Sequence, residues 1–256
     1  MITTDLDRGV ALVTLDRPPV NALDEAMLDG LVTAVSAVAD ASEVGAVLVR
    51  GAGRAFSAGA DVAMISTYLE AEDRGEQLVA FGARLQHAYA RIETLPVPVV
   101  AAIVGAATGG GLELALACDL RIAADNARLG LPEVHLGLLA AAGGTQRLTR
   151  IAGPAVASRL ILTGELVSGA EAARLGFVHH AVPLESLEEE ALALARRLAA
   201  LPRGALAAAK HCIALAPSEQ GYRAETEGTR GLLEDPATIE RVDAFLGRRR
   251  SEGSPD

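Results

Sequence analysis

A run of nineteen residues without a charge, Thr94 to Leu112, constrains the fold of this chain more than any other segment. Its length approaches that of a membrane-spanning helix. However, two prolines within its first five residues would interrupt such a helix, and the glycines at 109–111 would weaken it. The pattern therefore predicts a buried strand at Pro98–Val104, followed by a turn and a buried helix that begins near Gly110.

Strand-like and helix-like segments alternate through the first two thirds of the chain. Strands are predicted at Val10–Leu15, Val47–Arg50 and Leu120–Ala123, and apolar residues three and four positions apart predict a helix at Asp24–Val38. This alternation predicts an α/β fold with parallel strand pairing. From Pro183 onward nearly every stretch is predicted to be helical, with helices at 183–199, 202–215, 219–233 and 236–246.

The composition is that of a soluble globular chain: 256 residues, half of them hydrophobic and 22% charged. A formal net charge of -10 provides no basic field, so neither a nucleic acid nor a membrane is expected as a partner. Cys118 and Cys212 form no C-x-x-C pair and are predicted to be buried free thiols. The first seven residues include two acids and do not resemble a signal peptide, so a cytoplasmic location is expected.

Several familiar motifs are incomplete. The segment 51–56 begins like a dinucleotide fingerprint, but Phe56 stands where the third glycine belongs. Ser57 lacks the Gly-x-Ser-x-Gly context of a hydrolase nucleophile. The histidines at 135, 179, 180 and 211 have no metal-ligand spacing. Neither a metal nor a redox cofactor is therefore expected.

Two glutamates twenty positions apart, Glu113 and Glu133, are the candidate catalytic residues. The first follows three glycines and the second follows a Leu-Pro turn, so each could be directed into a cleft. Glu113 lies within an apolar stretch, and burial would raise the pKa of its carboxyl group. Two carboxylates that face one substrate can divide acid and base work between them.

Two turns of small residues, 55–61 and 109–111, lead from a strand to a helix. Backbone amides at a helix N-terminus are unpaired and lie at the positive end of the helix dipole. Two converging amides would form an oxyanion hole. For either turn taken alone, tight strand–helix packing is the alternative explanation.

The chain resembles the crotonase family, also called the enoyl-CoA hydratase/isomerase superfamily. The resemblance extends over nearly the whole length and is carried by residues 15–23, 55–62, 109–119, 132–133 and 143–148. It implies an α/β spiral of ββα repeats at 1–195, with a helical C-terminal trimerisation region at 196–256. It also implies a homotrimer or a dimer of trimers.

The resemblance further implies the roles of individual residues. It assigns the two catalytic carboxylates to Glu113 and Glu133, and the oxyanion hole to the backbone amides of Ala58 and Gly110. Arg17 and Arg54 are candidate contacts for coenzyme A phosphates. The implied substrate-binding residues are Ala58, Gly59, Ala60, Asp61, Val62, Gly110 and Ala141.

The implied activity is hydration of a 2-enoyl-CoA thioester through an enolate, as in fatty acid β-oxidation, with coenzyme A entering only as part of the substrate. An enoyl-CoA isomerase or another acyl-CoA lyase is the alternative, and a catalytically idle acyl-CoA-binding or scaffold protein is the third. Two departures from the hydratase pattern bear on this. Ala140 and Ala141 replace a common Pro-Gly, and Ala63 replaces a residue that is often basic.

Overall fold

The computed structural model describes residues 1–216 and 218–252 of the chain. The chain forms two compact units, Met1–Ala200 and Leu201–Asp256. Residues 217 and 253–256, which belong to the predicted C-terminal region, lie outside the described residues. The predicted domain boundary at 195/196 falls inside the last helix of the first unit.

The first unit contains two sheets. The larger has six strands in the order β1-β2-β3-β4-β6-β9, and the smaller has the order β5-β7-β8. In the larger sheet only β1 is antiparallel to its neighbour, and every other pairing is parallel. The strands are β1 (Ile2–Asp7), β2 (Val10–Leu15), β3 (Ala46–Gly51), β4 (Val99–Ile103), β5 (Ala106–Thr108), β6 (Leu120–Ala124), β7 (Arg128–Gly130), β8 (Val167–Ser168) and β9 (His180–Val182).

Helices follow most strands, and in the described part of the second unit the secondary structure is helical. They are α1 (Glu25–Asp40), α2 (Val62–Glu70), α3 (Arg74–Glu93), α4 (Gly110–Ala117), α5 (Gly144–Thr163), α6 (Gly169–Arg174), α7 (Leu187–Ala199), α8 (Arg203–Leu215), α9 (Gln220–Glu234) and α10 (Pro236–Glu252). Two 3-10 helices span Pro132–Leu136 and Leu184–Ser186. The predicted α/β fold with parallel pairing and a helical C-terminal region is confirmed.

Strand β4 lies in the interior of the larger sheet, between β3 and β6, and all five of its residues are buried. A strand covered on both faces has no position for a charged side chain, which explains the uncharged run in the sequence. The run then continues through β5 into α4, whose eight residues are also buried. A single apolar segment thus carries the chain from the core to the start of α4, where Glu113 lies.

The second unit consists of α8, α9 and α10, with α9 packed against both of the others. Each of the three helices begins within one residue of its predicted start. Among the described residues, no helix combines the length and the apolar character that crossing a bilayer requires.

Candidate active site

The two small-residue turns lie side by side because short strand pairings join them. The Ser57 N–H donates to Ala106 O at 3.0 Å, and the Thr108 N–H donates to Ser57 O at 3.1 Å. The Thr108 hydroxyl also donates to Ala58 O at 3.0 Å. Segments fifty residues apart in sequence therefore form one wall of a site.

Glycines in these turns allow the two backbones to pack closely, and one of them borders the site. A Cβ atom at Gly111 would lie 2.2 Å from Ser57 O, so close approach of the two turns requires glycine there. Gly109 has φ +53°, and a Cβ atom on it would lie 3.0 Å from a carboxylate oxygen of Glu133. Tight packing thus explains Gly111, whereas Gly109 borders a candidate catalytic group.

The unpaired amides are those of Ala60 and Gly110. The Ala58 N–H donates to Val20 O at 2.9 Å, so it is already engaged, and the predicted oxyanion donor at Ala58 is corrected to Ala60. Gly59 has φ +89°, which turns the chain so that the amides on either side of it face different partners. Among the described residues, neither the Ala60 N–H nor the Gly110 N–H has a hydrogen-bond partner.

These two amides are close neighbours. A Cβ atom built on Gly110 would lie 3.6 Å from the Ala60 nitrogen, and one built on Gly59 would lie 3.1 Å from the Gly110 nitrogen. Gly110 is the first residue of α4, where backbone N–H groups have no partner within the helix. The pair therefore offers two free donors and the positive end of a helix dipole to one oxygen atom.

A cavity of about 500 Å³ opens beside the two amides. Its apolar wall includes Leu78, Phe81 and Leu85 of α3 together with Leu136 and Leu139. Apart from the candidate phosphate contacts Arg17 and Arg54, all of the predicted site residues but Asp61 line it: Ala58, Gly59, Ala60, Val62, Gly110, Glu113, Glu133 and Ala141. The cavity therefore joins an apolar chamber to a small polar centre, as small-molecule sites commonly do.

Asp61 is the predicted site residue that does not line this cavity. Its carboxylate caps α2 by accepting from the Ala63 N–H at 2.8 Å and the Met64 N–H at 3.2 Å. It also pairs with the Arg17 guanidinium at 2.6 Å. The Met64 N–H, foremost among these contacts, lowers the pKa of the Asp61 carboxyl. The side chain of Asp61 thus shapes the turn, and only its backbone remains a candidate substrate contact.

Glu113 lies in the first turn of α4 and is only 2% exposed. One of its carboxylate oxygens accepts from the Gly144 N–H at 2.7 Å. Burial raises the pKa of this carboxyl to about 7, and the nearby charge of Glu133 acts in the same direction. The Gly144 and Ala142 amides and the charge of Arg147 oppose that rise. Glu113 can therefore exchange a proton near neutral pH.

Glu133 reaches the same cavity from the 3-10 helix Pro132–Leu136. It is half-buried, and its Oε2 atom is buried without a hydrogen-bond partner among the described residues. Burial raises the pKa of its carboxyl group. An oxygen that no donor stabilises favours the protonated form, whereas the Gly144 amide favours the charged form of Glu113. The two carboxyl groups therefore stand in different environments.

The raised pKa of Glu113 predicts a pH-dependent stability. The folded pKa of about 7 exceeds the ordinary value of 4.5, so the folded state binds this proton more tightly than the unfolded state. The resulting stabilisation is complete below pH 4.5 and is lost as the pH rises through 7. At about 1.4 kcal/mol for each pH unit between these values, we expect a loss of about 3 kcal/mol.

Urea unfolding of the wild type and of Glu113→Gln at about pH 5 and about pH 8 measures this effect, because the variant lacks the titrating group. The expected result is a smaller loss of unfolding free energy in the variant than in the wild type. An identical loss in both proteins would contradict the assignment of the raised pKa to Glu113.

The two candidate phosphate contacts and the alanines at 140 and 141 differ in their exposure and in their contacts. Arg54 is exposed and has no hydrogen bond or ion pair among the described residues, whereas Arg17 is shared between Asp24 and Asp61. Ala140 is buried and Ala141 exposed, and neither has a positive φ, so alanine is accommodated at both without backbone strain.

Neither of the cysteines and none of the histidines at 135, 179, 180 and 211 is among the residues that line the cavity. Cys118 and Cys212 form no disulfide; Cys118 is buried as predicted, but Cys212 is only half-buried. His179 accepts a hydrogen bond from the Arg121 N–H at 3.1 Å. Within the described residues, no group of three or more His, Cys, Asp or Glu side chains could hold a metal ion.

Three contributors to the site were not predicted from sequence: the Gly144 amide, Tyr89 and Arg147. The Tyr89 side chain is fully buried, and its hydroxyl donates to Gly110 O at 2.8 Å. No sequence signal gives the partner of this hydroxyl group.

Comparisons with known proteins agree with one another. The family model described as Enoyl-CoA hydratase/isomerase matches residues 5–251. A Bacillus subtilis (strain 168) protein named "Probable enoyl-CoA hydratase" is 38% identical, with 98% of this chain and 97% of that protein covered. A "Crotonyl-CoA hydratase" of Syntrophomonas wolfei is 35% identical, with 98% and 96% covered. A crystal structure of an enoyl-CoA hydratase from Bacillus anthracis matches with a TM-score of 0.91 at 35% identity, covering 96% of each chain.

Proposed function

The chain belongs to the enoyl-CoA hydratase/isomerase family, and from that premise we propose that it adds water across the double bond of a 2-enoyl-CoA thioester. The product is a 3-hydroxyacyl-CoA. One observation carries the proposal: two carboxyl groups of raised pKa line a single apolar cavity beside two unpaired amides. The names of the relatives support the same activity.

The amides of Ala60 and Gly110 hold the thioester oxygen in this proposal. Addition of water at C3 moves negative charge onto that oxygen and forms an enolate. Two donors already directed at one point stabilise this charge without reorganising, and loss of one such donor typically costs about 3–4 kcal/mol of barrier. Tyr89 holds the carbonyl of Gly110 and so fixes the direction of the turn.

Glu113 and Glu133 move the protons. Glu113, whose carboxylate the Gly144 amide supports, takes a proton from water as the water oxygen bonds to C3. Glu133, protonated beforehand, gives its proton to Cα as the enolate collapses. One water molecule is thereby added in total. The proton now on Glu113 returns to Glu133 by exchange with solvent, which completes the cycle.

The pKa of Glu113 suits this role in both directions of the reaction. A group that titrates near 7 is charged often enough to accept a proton at neutral pH and acidic enough to return it. Bound substrate would displace water from around Glu133, and this would raise its pKa further and favour the protonated form.

Substrate binding follows from the same surfaces. The apolar wall formed by α3 and residues 136–139 accommodates the acyl chain. The backbone at 60–62 would lie against the adenine end of coenzyme A. Arg54, exposed and without a partner among the described residues, is better suited to a phosphate than Arg17, which would bring two carboxylates with it.

The proposal extends to assembly and location. A homotrimer or a dimer of trimers, formed through the helices after residue 200, is proposed from the resemblance to the crotonase family. A cytoplasmic location is proposed because Cys118 and Cys212 form no disulfide, which suits a reducing compartment.

A panel of 2-enoyl-CoA thioesters from four to twelve carbons tests the activity. We expect loss of the conjugated enoyl absorbance with at least one chain length and formation of the 3-hydroxyacyl product. Movement of the double bond without added water would instead favour the isomerase alternative. Binding without any chemistry across the panel would favour a non-catalytic role.

A Gly110→Pro variant tests the oxyanion donor. Proline is well accepted at the first position of a helix, where it removes only an N–H that has no helical partner. We expect kcat to fall about 100- to 1,000-fold relative to the wild type. Steady-state kinetics with the preferred thioester measures the loss.

Gly110→Ala is the matched control because it adds the same Cβ atom and keeps the N–H. The nearest neighbour of that atom is the flexible end of Leu23, at 3.3 Å. A Gly110→Pro enzyme that retains the kcat of Gly110→Ala would refute the role of this amide.

A further inference from the structure

We propose that Arg147 is a positioning residue that holds the segment 142–144 against Glu113 and links it to the oxyanion turn. This inference rests on the proposed function, because it concerns the positioning of the two glutamates and the two amides that the function uses. Arg147 does not line the cavity and is not a catalytic residue. Its positioning role follows from its burial and from four contacts.

The guanidinium of Arg147 is fixed from several directions. The residue is 6% exposed and lies in the first turns of α5. Its Nε and Nη2 atoms donate to the two carboxylate oxygens of Glu93, at 3.0 and 2.6 Å. Nη1 donates to Ala142 O at 2.8 Å. Such a two-point pairing requires the planar fork of arginine, which lysine lacks.

The segment 142–144 wraps closely around this group. Gly143 has φ +104°, and a Cβ atom on it would lie 2.2 Å from Arg147 Nη1. A Cβ atom on Gly144 would lie 2.9 Å from the Glu113 carboxylate. The segment is thus confined between the arginine on one side and the glutamate on the other. Movement of its backbone would therefore change the Gly144 N–H bond to Glu113.

The same guanidinium also lies beside Tyr89. Its central carbon is 5.9 Å from the centre of the Tyr89 ring, within the range of a cation–π contact. Tyr89 in turn donates to Gly110 O in the oxyanion turn. One buried cation thereby contacts both the residue that supports the oxyanion amide and the segment that supports the base.

The charged groups that act on Glu113 are Glu133, which raises the pKa of its carboxyl, and Arg147, which lowers it. Glu93 lies beyond Arg147 and partly offsets its charge, and the Tyr89 phenol is uncharged because burial raises its pKa well above 10. Removing Arg147 takes away a positive charge and loosens the Gly144 amide. Both changes favour the protonated form of Glu113.

The test compares Arg147→Gln and Arg147→Lys with Arg150→Gln. Arg150 is exposed on the same helix, so its variant is a matched control for loss of one arginine. Carbon-13 NMR of labelled glutamate carboxyl groups follows the titration of Glu113, with Glu113→Gln identifying its signal. The pH profile of kcat/KM is measured with the same proteins.

We expect Arg147→Gln to move the Glu113 titration and the acidic limb of kcat/KM together to higher pH. The activity near pH 7 should fall about tenfold for each unit of that movement, with recovery at higher pH. Arg147→Lys, which keeps the charge without the fork, should move the titration less but still lower kcat. Arg150→Gln should match the wild type.

A folded Arg147→Gln protein whose Glu113 titration is unchanged would overturn the proposal, whether or not the enzyme hydrates enoyl thioesters. Should Arg147→Gln fail to fold, Arg147→Lys decides, and wild-type kcat in that variant would overturn it. Because the NMR titration requires no turnover, failure of the hydratase assay and failure of this inference are separate results.

Discussion

Glu133→Gln should lower kcat about 100- to 10,000-fold while leaving acyl-CoA affinity nearly unchanged. The amide keeps the size and polarity of the side chain but cannot give a proton to Cα. Glu133 is suited to that step because its Oε2 is buried without a partner among the described residues and its pKa is raised. Steady-state kinetics gives kcat, and calorimetry with the saturated acyl-CoA gives the affinity.

Glu185→Gln is the control for this substitution. Glu185 also follows a proline-led turn into a 3-10 helix, but it is exposed and lies outside the cavity. It should retain wild-type kinetics. Turnover in Glu133→Gln within a few-fold of the wild type would rule out proton delivery by Glu133, because the glutamine side chain cannot supply that proton. Among the described residues, Glu113 is the other carboxyl group that lines the cavity.

Glu113→Gln should cause a comparable loss of kcat, about 100- to 10,000-fold, for a different reason. The amide oxygen can still accept from the Gly144 N–H, so the local structure is retained, but no base remains to take the proton of water. The hydration and the reverse dehydration should fall together because both pass through the same proton transfer. Measurement in both directions, from enoyl and from 3-hydroxyacyl thioester, gives the two rates.

Exchange of the Cα proton with solvent separates the two glutamates. In the proposed division of work, Glu133 serves Cα and Glu113 serves water. Glu113→Gln should therefore retain more exchange of the Cα proton of a bound acyl thioester than Glu133→Gln does. Equal exchange in both variants, or more in Glu133→Gln, would contradict that division.

The sequence predicts the parts of the site that depend on burial. An uncharged run placed β4 and the start of α4 in the core, and Glu113 follows as a carboxyl group without access to solvent. The starts of α8 and α10 in the second unit were predicted closely because Pro202 and Pro236 mark them. Burial of these segments and the starts of these helices can be predicted because they depend only on residues that are near in the sequence.

Other parts depend on backbone geometry that no local pattern expresses. The free donor is at Ala60 and not at Ala58, because the positive φ of Gly59 and the pairing with Val20 decide which amide is engaged. Strands β5, β7 and β8 have only two or three residues, too few for a periodicity to appear. Arg147 was missed because an arginine is seldom buried and its partner Glu93 is fifty-four positions away.

The ion pair of Arg147 illustrates how stability and function are coupled here. A buried charge without its partner is costly, so we expect removal of either Glu93 or Arg147 alone to destabilise the fold. The ion pair joins α3 to α5 close to Glu113, so the loss of one partner would disturb the structure near that carboxyl group. The position of Glu113, the proposed base, is thus supported by contacts that lie outside the cavity itself.

Hydration in ¹⁸O-labelled water shows directly whether the protein adds water to an enoyl thioester. The purified protein is incubated with a 2-enoyl-CoA thioester, and the product is analysed by mass spectrometry. We expect a 3-hydroxyacyl-CoA with one ¹⁸O atom at C3, formed by the wild type and largely lost in Glu113→Gln and Glu133→Gln. A product of unchanged mass with a displaced double bond, or no product at any chain length, would contradict that expectation.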